Sequence, residues 1–314
     1  MAIPKWLGVY PAMLTPFKAD DTIDFDMFTV NLNAQLAAGI DGVVMGGSLG
    51  EASTLLNEEK TALLQHCKQT MSRSVPAIVT VAEQSTKAAI AVAQTAEKNG
   101  ADGLMILPPM RYKADERETV QYFKTIASNT GLPIMIYNNP YDYKIEVTID
   151  MFEELAAVKS IESIKESTRD VSNVTRLKIA FGDRYKILCG VDTLALEELA
   201  LGADGWVGGL VDAFPAETVA IFRLMKAGMY PEALQVYRWF LPVLELDIHP
   251  KLVQYIKLAA VQTGLSSEYV RAPRLPIEGA ERKKVLATIG KAIETRPVLP
   301  DYLHLSQKQF AEQL

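Results

Sequence analysis

A single lysine lies within the short β-type run SIESIKES, which spans positions 160–167. Because side chains alternate along a strand, Lys165 would face the side opposite to Ile164 and Glu166 and point into a core. Burial without a partner lowers the pKa of an ammonium group until the neutral amine prevails. A neutral amine is a nucleophile for carbonyl groups, so the run predicts a reactive Lys165. A plainer interpretation is that Lys165 ends a strand and reaches water.

Two other chemically rich stretches follow apolar runs. The loop GGSLGE at 46–51 could present backbone N–H groups and the Ser48 hydroxyl to an anionic group. It lacks the Gly-Lys-Ser/Thr of a nucleotide-binding P-loop, so a carboxylate is the expected ligand, unless the glycines only form a tight turn. Tyr137 precedes Asn138-Asn139-Pro140 and is either a catalytic hydroxyl or a core aromatic residue.

Asp192 is a further candidate for the site. Asp192 follows the apolar run that ends at Cys189; it could accept a hydrogen bond from a ligand, but we favour capping of a helix that starts at Thr193.

Other catalytic classes have weaker support. The three histidines are scattered and predict no metal site; they are His66, His249 and His304. The sequence also lacks the nucleophile elbow that a serine triad would need.

Eight apolar runs are predicted to be strands that position these groups. They cover 8–14, 42–46, 77–81, 103–107, 134–137, 161–165, 186–189 and 205–209. Helical patterns lie between them, and the joint Gly-X-Asp-Gly, which begins at Gly39, Gly100 and Gly202, closes a helix and opens a strand three times. Strands that alternate with helices indicate a parallel sheet, and eight repeats predict a closed (β/α)8 barrel, the TIM barrel.

We expect residues 1–225 to form the barrel and residues 226–314 to form a helical extension packed on it, as one structural unit. Helices are predicted over 231–246, 250–263 and 281–294, with Pro250 at a first helical position. Active sites of such barrels lie at the C-terminal ends of the strands. Lys165, Tyr137, Asp192 and the loop at 46–51 all follow or end strands, so they should meet at one mouth.

Composition limits the partners of the chain. Its 314 residues are 49% hydrophobic and 22% charged, which is typical of a globular protein with a sizeable core. A net charge of −6 gives no electrostatic reason for binding nucleic acid or an anionic membrane. No long uncharged apolar segment predicts a membrane helix. With no secretory signal, Cys67 and Cys189 are expected to be reduced thiols in the cytoplasm.

Three motifs in this order resemble the dihydrodipicolinate synthase/N-acetylneuraminate lyase family of Schiff-base barrel enzymes. They are GSLGE at 47–51, YNNP at 137–140 and IKES at 164–167. The resemblance implies that Lys165 forms an imine with a 2-oxo acid, that Tyr137 shuttles protons and that the Ser48-Leu49 loop holds the substrate carboxylate. It also implies an enzyme without a cofactor that forms a homodimer or homotetramer. We predict substrate contacts from Gly47, Ser48, Leu49, Gly190, Asp192 and Gly209.

The chain departs from dihydrodipicolinate synthases at three places. Leu49 stands where the family usually has a hydroxyl, and Asp142 stands where those synthases carry an arginine for a second carboxylate. The tyrosine that those synthases lend to a neighbouring subunit falls near Met110, Arg111 and Tyr112, displaced or absent. These departures argue against a condensation with aspartate semialdehyde.

Other stretches look like bacterial 1-pyrroline-4-hydroxy-2-carboxylate deaminases: GSLGE at 47–51, LPPMRY at 107–112, CGVD at 189–192, HPKLVQYIK at 249–257 and RAPRLP at 271–276. This resemblance implies a role in hydroxyproline breakdown, in which the cyclic imine yields 2,5-dioxopentanoate and ammonia. Two alternatives stay open. One is an aldolase or synthase that uses pyruvate, such as a 2-keto-3-deoxy sugar acid lyase; the other is a catalytically inactive barrel that binds small 2-oxo acids or acts as a structural subunit.

Overall fold

Eight parallel strands form a nearly closed TIM barrel, as predicted, in a computed structural model that describes residues 2–71, 74–109 and 112–305. The sheet order is β1-β8-β7-β6-β5-β4-β3-β2, and a bridge between Ala12 and Val44 brings the two edge strands together. The strands are β1 Gly8–Pro11, β2 Val43–Met45, β3 Ala77–Val81, β4 Gly103–Ile106, β5 Ile134–Asn138, β6 Ile161–Glu166, β7 Lys186–Cys189 and β8 Gly205–Gly208.

Helices connect the strands and continue beyond the barrel. They are α1 Phe25–Ala38, α2 Asn57–Thr70, α3 Thr86–Lys98, α4 Glu116–Ala127, α5 Pro140–Tyr143, α6 Ile149–Leu155, α7 Ser172–Phe181, α8 Ala195–Ala200, α9 Pro215–Lys226, α10 Tyr230–Leu244, α11 Leu252–Gln262 and α12 Gly279–Glu294. Short 3-10 helices cover Asp192–Leu194 and Leu210–Asp212. In the part of the chain that the structure describes, none of the helices combines the length and apolar character needed to cross a membrane.

Alternation along the strands produces two apolar cores. One face of each strand packs against the surrounding helices, whereas the other fills the barrel interior with a smaller cluster: Trp6, Tyr10, Val44, Ile78, Met105, Leu107, Met135, Tyr137, Leu188 and Val207. Trp6 stacks on Tyr10 at a centroid distance of 6.2 Å and donates its indole N–H to Glu162. A packed interior leaves the C-terminal ends of the strands as the place for a cavity.

The repeated Gly-X-Asp-Gly joint has a further role that its sequence does not reveal. Gly39, Gly100 and Gly202 all have left-handed φ angles, as a helix end requires. The aspartate of each joint accepts an N–H from near the start of the preceding strand: Asp41 from Val9, Asp102 from Ala77 and Asp204 from Ile187. Each joint therefore ties two neighbouring strands together at the N-terminal end of the barrel.

Several predicted boundaries differ from the structure by one to three residues, and two of these differences have a clear physical reason. The first strand ends at Pro11 and not at residue 14, because the Leu14 N–H leaves the sheet and donates to Asp212. The helix predicted from Pro250 begins at Leu252, because Lys251 donates its N–H to the His249 ring within a turn. The division at residues 225 and 226 stays a prediction; α9 ends beside it, and residues 306–314 lie outside the described residues, as do Met110 and Arg111.

Candidate active site

Lys165 points into the barrel from the end of β6, and only 6% of it is exposed. It pairs in register with Tyr137 on β5, and its Nζ lies 4.2 Å from the centroid of the Tyr137 ring. Ile164 faces the outer core, as the alternation predicts. Glu166 also points outward, where it accepts N–H groups from Thr168 and Asn173. The lysine is thus a buried amine beside an aromatic face and does not snorkel to water.

A cavity lies above Lys165 at the C-terminal ends of the strands, with about 670 Å³ of empty space when its solvent-open mouth is included. All predicted site residues except Asp192 line it. Those that do are Gly47, Ser48, Leu49, Tyr137, Lys165, Gly190 and Gly209. The structure therefore brings the loop after β2 and the ends of β5, β6, β7 and β8 to one mouth.

The glycine after β7 makes room for the lysine. A Cβ at Gly190 would lie 2.6 Å from the Lys165 Cε, a distance that non-bonded carbon atoms do not tolerate. A Cβ at Gly209 would similarly lie 2.9 Å from Asp247 Oδ1. Both glycines are required by the close approach of side chains in the cavity.

Burial controls the protonation of Lys165. Desolvation lowers its pKa, although the negative charges of Asp247 and Asp192 oppose that change. The same burial raises the pKa of Asp247 to about 8. The two groups influence each other, so their protons come off in steps that belong to the pair. The lowered pKa makes the neutral, nucleophilic form of Lys165 easier to reach than that of an exposed lysine.

Hydroxyl groups extend from Tyr137 toward the glycine loop. The Tyr137 oxygen accepts from the Asn139 amide at 3.1 Å, and burial raises the pKa of Tyr137 so that it keeps its proton. Tyr143 packs edge-on against Tyr137, with ring centroids 5.5 Å apart, and its hydroxyl forms a short hydrogen bond with the Ser48 hydroxyl. Ser48 is therefore linked to the tyrosine pair as well as to the loop.

Asp192 does not cap the helix at Thr193, so that interpretation is wrong. The 3-10 helix starts at Asp192 itself, and its carboxylate accepts from the Trp206 indole at 2.8 Å and from the N–H groups of Gly209 and Leu210. These bonds reach across to β8 and to the residues that follow it. Asp192 thus positions the loop that contains Gly209, and its contact with substrate stays a prediction.

Sequence reasoning missed three polar residues that line the cavity and could take part in its chemistry. Tyr143 ends the short helix α5, which Asn139 caps through the Asp142 N–H; the Asn-Pro pair was a usable signal for that turn. Asp247 comes from the loop after α10 and accepts from the Asp192 N–H. Arg169 follows β6 with a φ of 63°. The last two depend on tertiary packing and have no local sequence signature.

Asp142 lines the cavity as well, and its carboxylate accepts from the Asn139 amide at 2.7 Å. The cavity therefore has an acidic group where the resemblance led us to look for an arginine. Cys189 is fully buried, and its pKa is raised well above the usual value, so its thiol stays protonated. Among the described residues, no cluster of three or more His, Cys, Asp or Glu side chains could hold a metal ion.

Comparisons with known proteins agree with this geometry. The model of the dihydrodipicolinate synthetase family matches residues 5–292. The 4-hydroxy-tetrahydrodipicolinate synthase of Exiguobacterium sibiricum is 34% identical over 273 residues, which cover 86% of this chain and 91% of that protein.

Two solved structures are also similar. The 4-hydroxy-tetrahydrodipicolinate synthase of Methylacidiphilum fumariolicum has a TM-score of 0.87 at 29% identity and covers 92% of this chain and 96% of its own. A dihydrodipicolinate synthase of Bacillus anthracis has a TM-score of 0.88 at 28% identity, with coverage of 95% and 100%. The match along nearly the whole chain, together with a barrel that buries a lysine beside a tyrosine, shows that this protein belongs to the dihydrodipicolinate synthetase family.

Proposed function

We propose that this protein is a Schiff-base enzyme in which Lys165 forms an imine with carbon two of a small 2-oxo acid or of a related cyclic imine. The observation that carries the proposal is the Lys165 amine itself. It is almost fully buried, its pKa is lowered by desolvation, and it lies at the base of an open cavity. A buried neutral lysine amine is suited to attack on a carbonyl carbon.

The neighbouring groups suit the proton transfers of imine formation. Attack by Nζ on the carbonyl carbon produces a carbinolamine, whose oxygen must gain a proton before it leaves as water. Tyr137 is protonated, because burial raises its pKa, and its ring adjoins the amine. In this proposal the Ser48-Leu49 loop holds the substrate carboxylate, and Tyr137 gives and recovers the proton.

A pyruvate-dependent aldolase or synthase is the first candidate for the complete reaction. The family match and the names of the relatives support it. The imine of pyruvate loses a proton from carbon three to give an enamine, which then attacks an aldehyde. Asp142 disfavours an acceptor whose carboxylate would lie next to it, since two carboxylates repel each other.

A deaminase for 1-pyrroline-4-hydroxy-2-carboxylate is the second candidate. Leu49 supports it, because it belongs to one of the stretches that resemble these deaminases. Asp247 supports it chemically: a carboxyl with a pKa of about 8 is protonated at neutral pH and can donate a proton to a leaving hydroxyl. Lys165 would open the ring by exchanging one imine for another. Loss of the C3 proton and the C4 hydroxyl, followed by hydrolysis, would release ammonia and 2,5-dioxopentanoate.

One set of assays tests the proposal and separates the candidates. Wild type, Lys165→Ala and the exposed-lysine control Lys159→Ala are each incubated with pyruvate and borohydride, and adducts are mapped by mass spectrometry. The same proteins are assayed for ammonia release from 1-pyrroline-4-hydroxy-2-carboxylate and for pyruvate consumption with aspartate semialdehyde or a sugar-derived aldehyde. We expect an adduct in wild type and Lys159→Ala, and none in Lys165→Ala.

The outcomes distinguish the candidates. Ammonia release that depends on Lys165 selects the deaminase, whereas aldehyde-dependent loss of pyruvate selects the aldolase or synthase. An adduct on a lysine other than Lys165 would overturn the assigned role of Lys165. No pyruvate adduct, together with no turnover of any of these substrates, would overturn the proposed Schiff-base chemistry and favour a non-catalytic barrel.

A further inference from the structure

Arg169 lies at the rim of the cavity, four residues beyond Lys165, and its backbone is in an unusual conformation. Its φ of 63° is in the left-handed region, which residues with a Cβ rarely adopt. Such conformations persist where the surroundings hold them, and they occur often at ligand sites. The strained turn directs a half-buried arginine side chain to the cavity instead of to bulk solvent.

The Arg169 guanidinium is oriented but has no acceptor. Its Cζ lies 3.4 Å from the centroid of the Tyr141 ring, so one face of the planar group is covered and the N–H edge is left available. Within the described ranges, no hydrogen bond or ion pair joins it to another residue. By contrast, the half-buried Arg184 donates to three backbone carbonyls, and the buried Arg271 pairs with Glu59.

The charges around the cavity leave Arg169 as its permanent cation. Lys165 and Arg169 are the basic residues among its described lining, and desolvation lowers the pKa of Lys165, whose amine must be neutral to react. The Asp142 carboxylate already accepts from Asn139. An anionic group that enters the cavity would therefore meet one guanidinium edge with free donors, in the geometry that suits a carboxylate.

We propose that Arg169 binds a second carboxylate, at the end of the substrate away from the 2-oxo carbon. This inference rests on the proposed function, in which the first carboxylate binds the Ser48-Leu49 loop and carbon two bonds to Lys165. It defines the substrate class as one with an acidic group at each end: a dicarboxylic 2-oxo acid, or the product of pyruvate and an aldehyde that carries a carboxylate. A substrate with a single carboxylate would leave Arg169 unused.

Trapping with matched acids tests this role. The 2-oxoglutarate and 2-oxopentanoate chains each have five carbons and differ in a terminal carboxylate or methyl group; oxaloacetate and 2-oxobutyrate form the same pair one carbon shorter. The concentration that gives half-maximal borohydride adduct on Lys165 is measured for each acid. For at least one pair, we expect wild type to need roughly tenfold less of the dicarboxylic acid, since charged hydrogen bonds are strong.

Variants separate the side chain from the backbone. Arg169→Gln keeps a side chain in the left-handed turn but removes the charge, whereas Arg169→Gly removes both the side chain and the strain. For both variants, we expect the dicarboxylic acid and its monocarboxylic partner to give half-maximal adduct at nearly the same concentration. Arg176→Gln is the control, because Arg176 is exposed and paired with Asp170 outside the cavity lining, and should keep the wild-type ratio.

Each result supports or overturns the inference. A wild type without preference for either dicarboxylic acid, or a preference that survives in Arg169→Gln, would overturn it while leaving the imine chemistry intact. If no acid forms an adduct, the proposed function fails instead. Calorimetric binding of 2-oxoglutarate to wild type and Arg169→Gln then decides separately whether Arg169 binds a carboxylate.

Discussion

Lys165 and Asp247 are best treated as one buried pair. Desolvation acts on both, lowering the pKa of the amine and raising the pKa of the acid to about 8. Their protons therefore come off in steps that belong to the pair. The consequence for chemistry is that ionisation of Asp247 opposes loss of the Lys165 proton, so the two groups together set the pH range in which the neutral amine is available.

The pH profile of Asp247→Asn tests this coupling. Once Asp247 ionises, above its pKa of about 8, its charge raises the pKa of Lys165, so replacing it by asparagine should lower that pKa further. Because the reaction needs the neutral amine, the rise of kcat/KM with pH should then occur at lower pH than in wild type. The control is Asp183→Asn, since the Asp183 side chain is 92% exposed. An acidic limb at the wild-type position would show that Asp247 has no influence on the nucleophile.

At the scale of the elements, the three aspartate joints stabilise the barrel from its N-terminal end. Asp102 is 2% exposed, and its carboxylate accepts hydrogen bonds from the backbone N–H groups of Ala2 and Ala77. It also forms an ion pair with Lys68. It thereby connects the loop before β4 to β3 and α2. The corresponding Asp41 and Asp204 connect β2 to β1 and β8 to β7.

Asp102→Ala should therefore destabilise the fold. It leaves the buried N–H of Ala77 without an acceptor, and we expect a loss of about 2 to 4 kcal/mol in the free energy of unfolding. Urea denaturation followed by circular dichroism measures the change, with Asp183→Ala as the matched exposed control. A loss below about 0.5 kcal/mol would contradict the role of the joint.

The elements themselves were largely predictable, whereas contacts between distant elements were not. Apolar runs and glycine joints are local, so the eight strands could be placed from the sequence, and Lys165 and Tyr137 followed from alternation on their own strands. Arg169 and Asp247 lie in loops and enter the cavity because of tertiary packing. Asp192 was assigned to the nearest helix because its partners in and after β8 are remote in sequence.

At the scale of the molecule, assembly and location stay predictions. A homodimer or homotetramer is expected from the resemblance, and light scattering of the purified protein would measure it. Tyr112 is 57% exposed in the single chain and is absent from the described lining of the cavity. The cytoplasmic location rests on the sequence alone.

The C-terminal helices are connected to the site through a buried ion pair. Glu51, in the loop that contains Ser48 and Leu49, contacts Lys257 on α11 at 2.6 Å, and both side chains are fully buried. Burial lowers the pKa of Lys257 to about 8, so the amine is still mostly charged at neutral pH. Glu51 also accepts the Arg271 N–H. The helical extension thus holds the loop that is proposed to bind the substrate carboxylate.

Lys257→Met tests this connection. The methionine fills similar space but leaves the Glu51 carboxylate buried without its closest cation, so we expect a loss of about 3 to 5 kcal/mol in the free energy of unfolding. Glu51→Gln combined with Lys257→Met should recover part of that loss, because the uncompensated charge is gone. If the recovered double variant still needs more pyruvate for adduct formation on Lys165, the ion pair positions the loop as well as stabilising the fold. Equal losses in the single and double variants would instead mean that Lys257 contributes through packing alone.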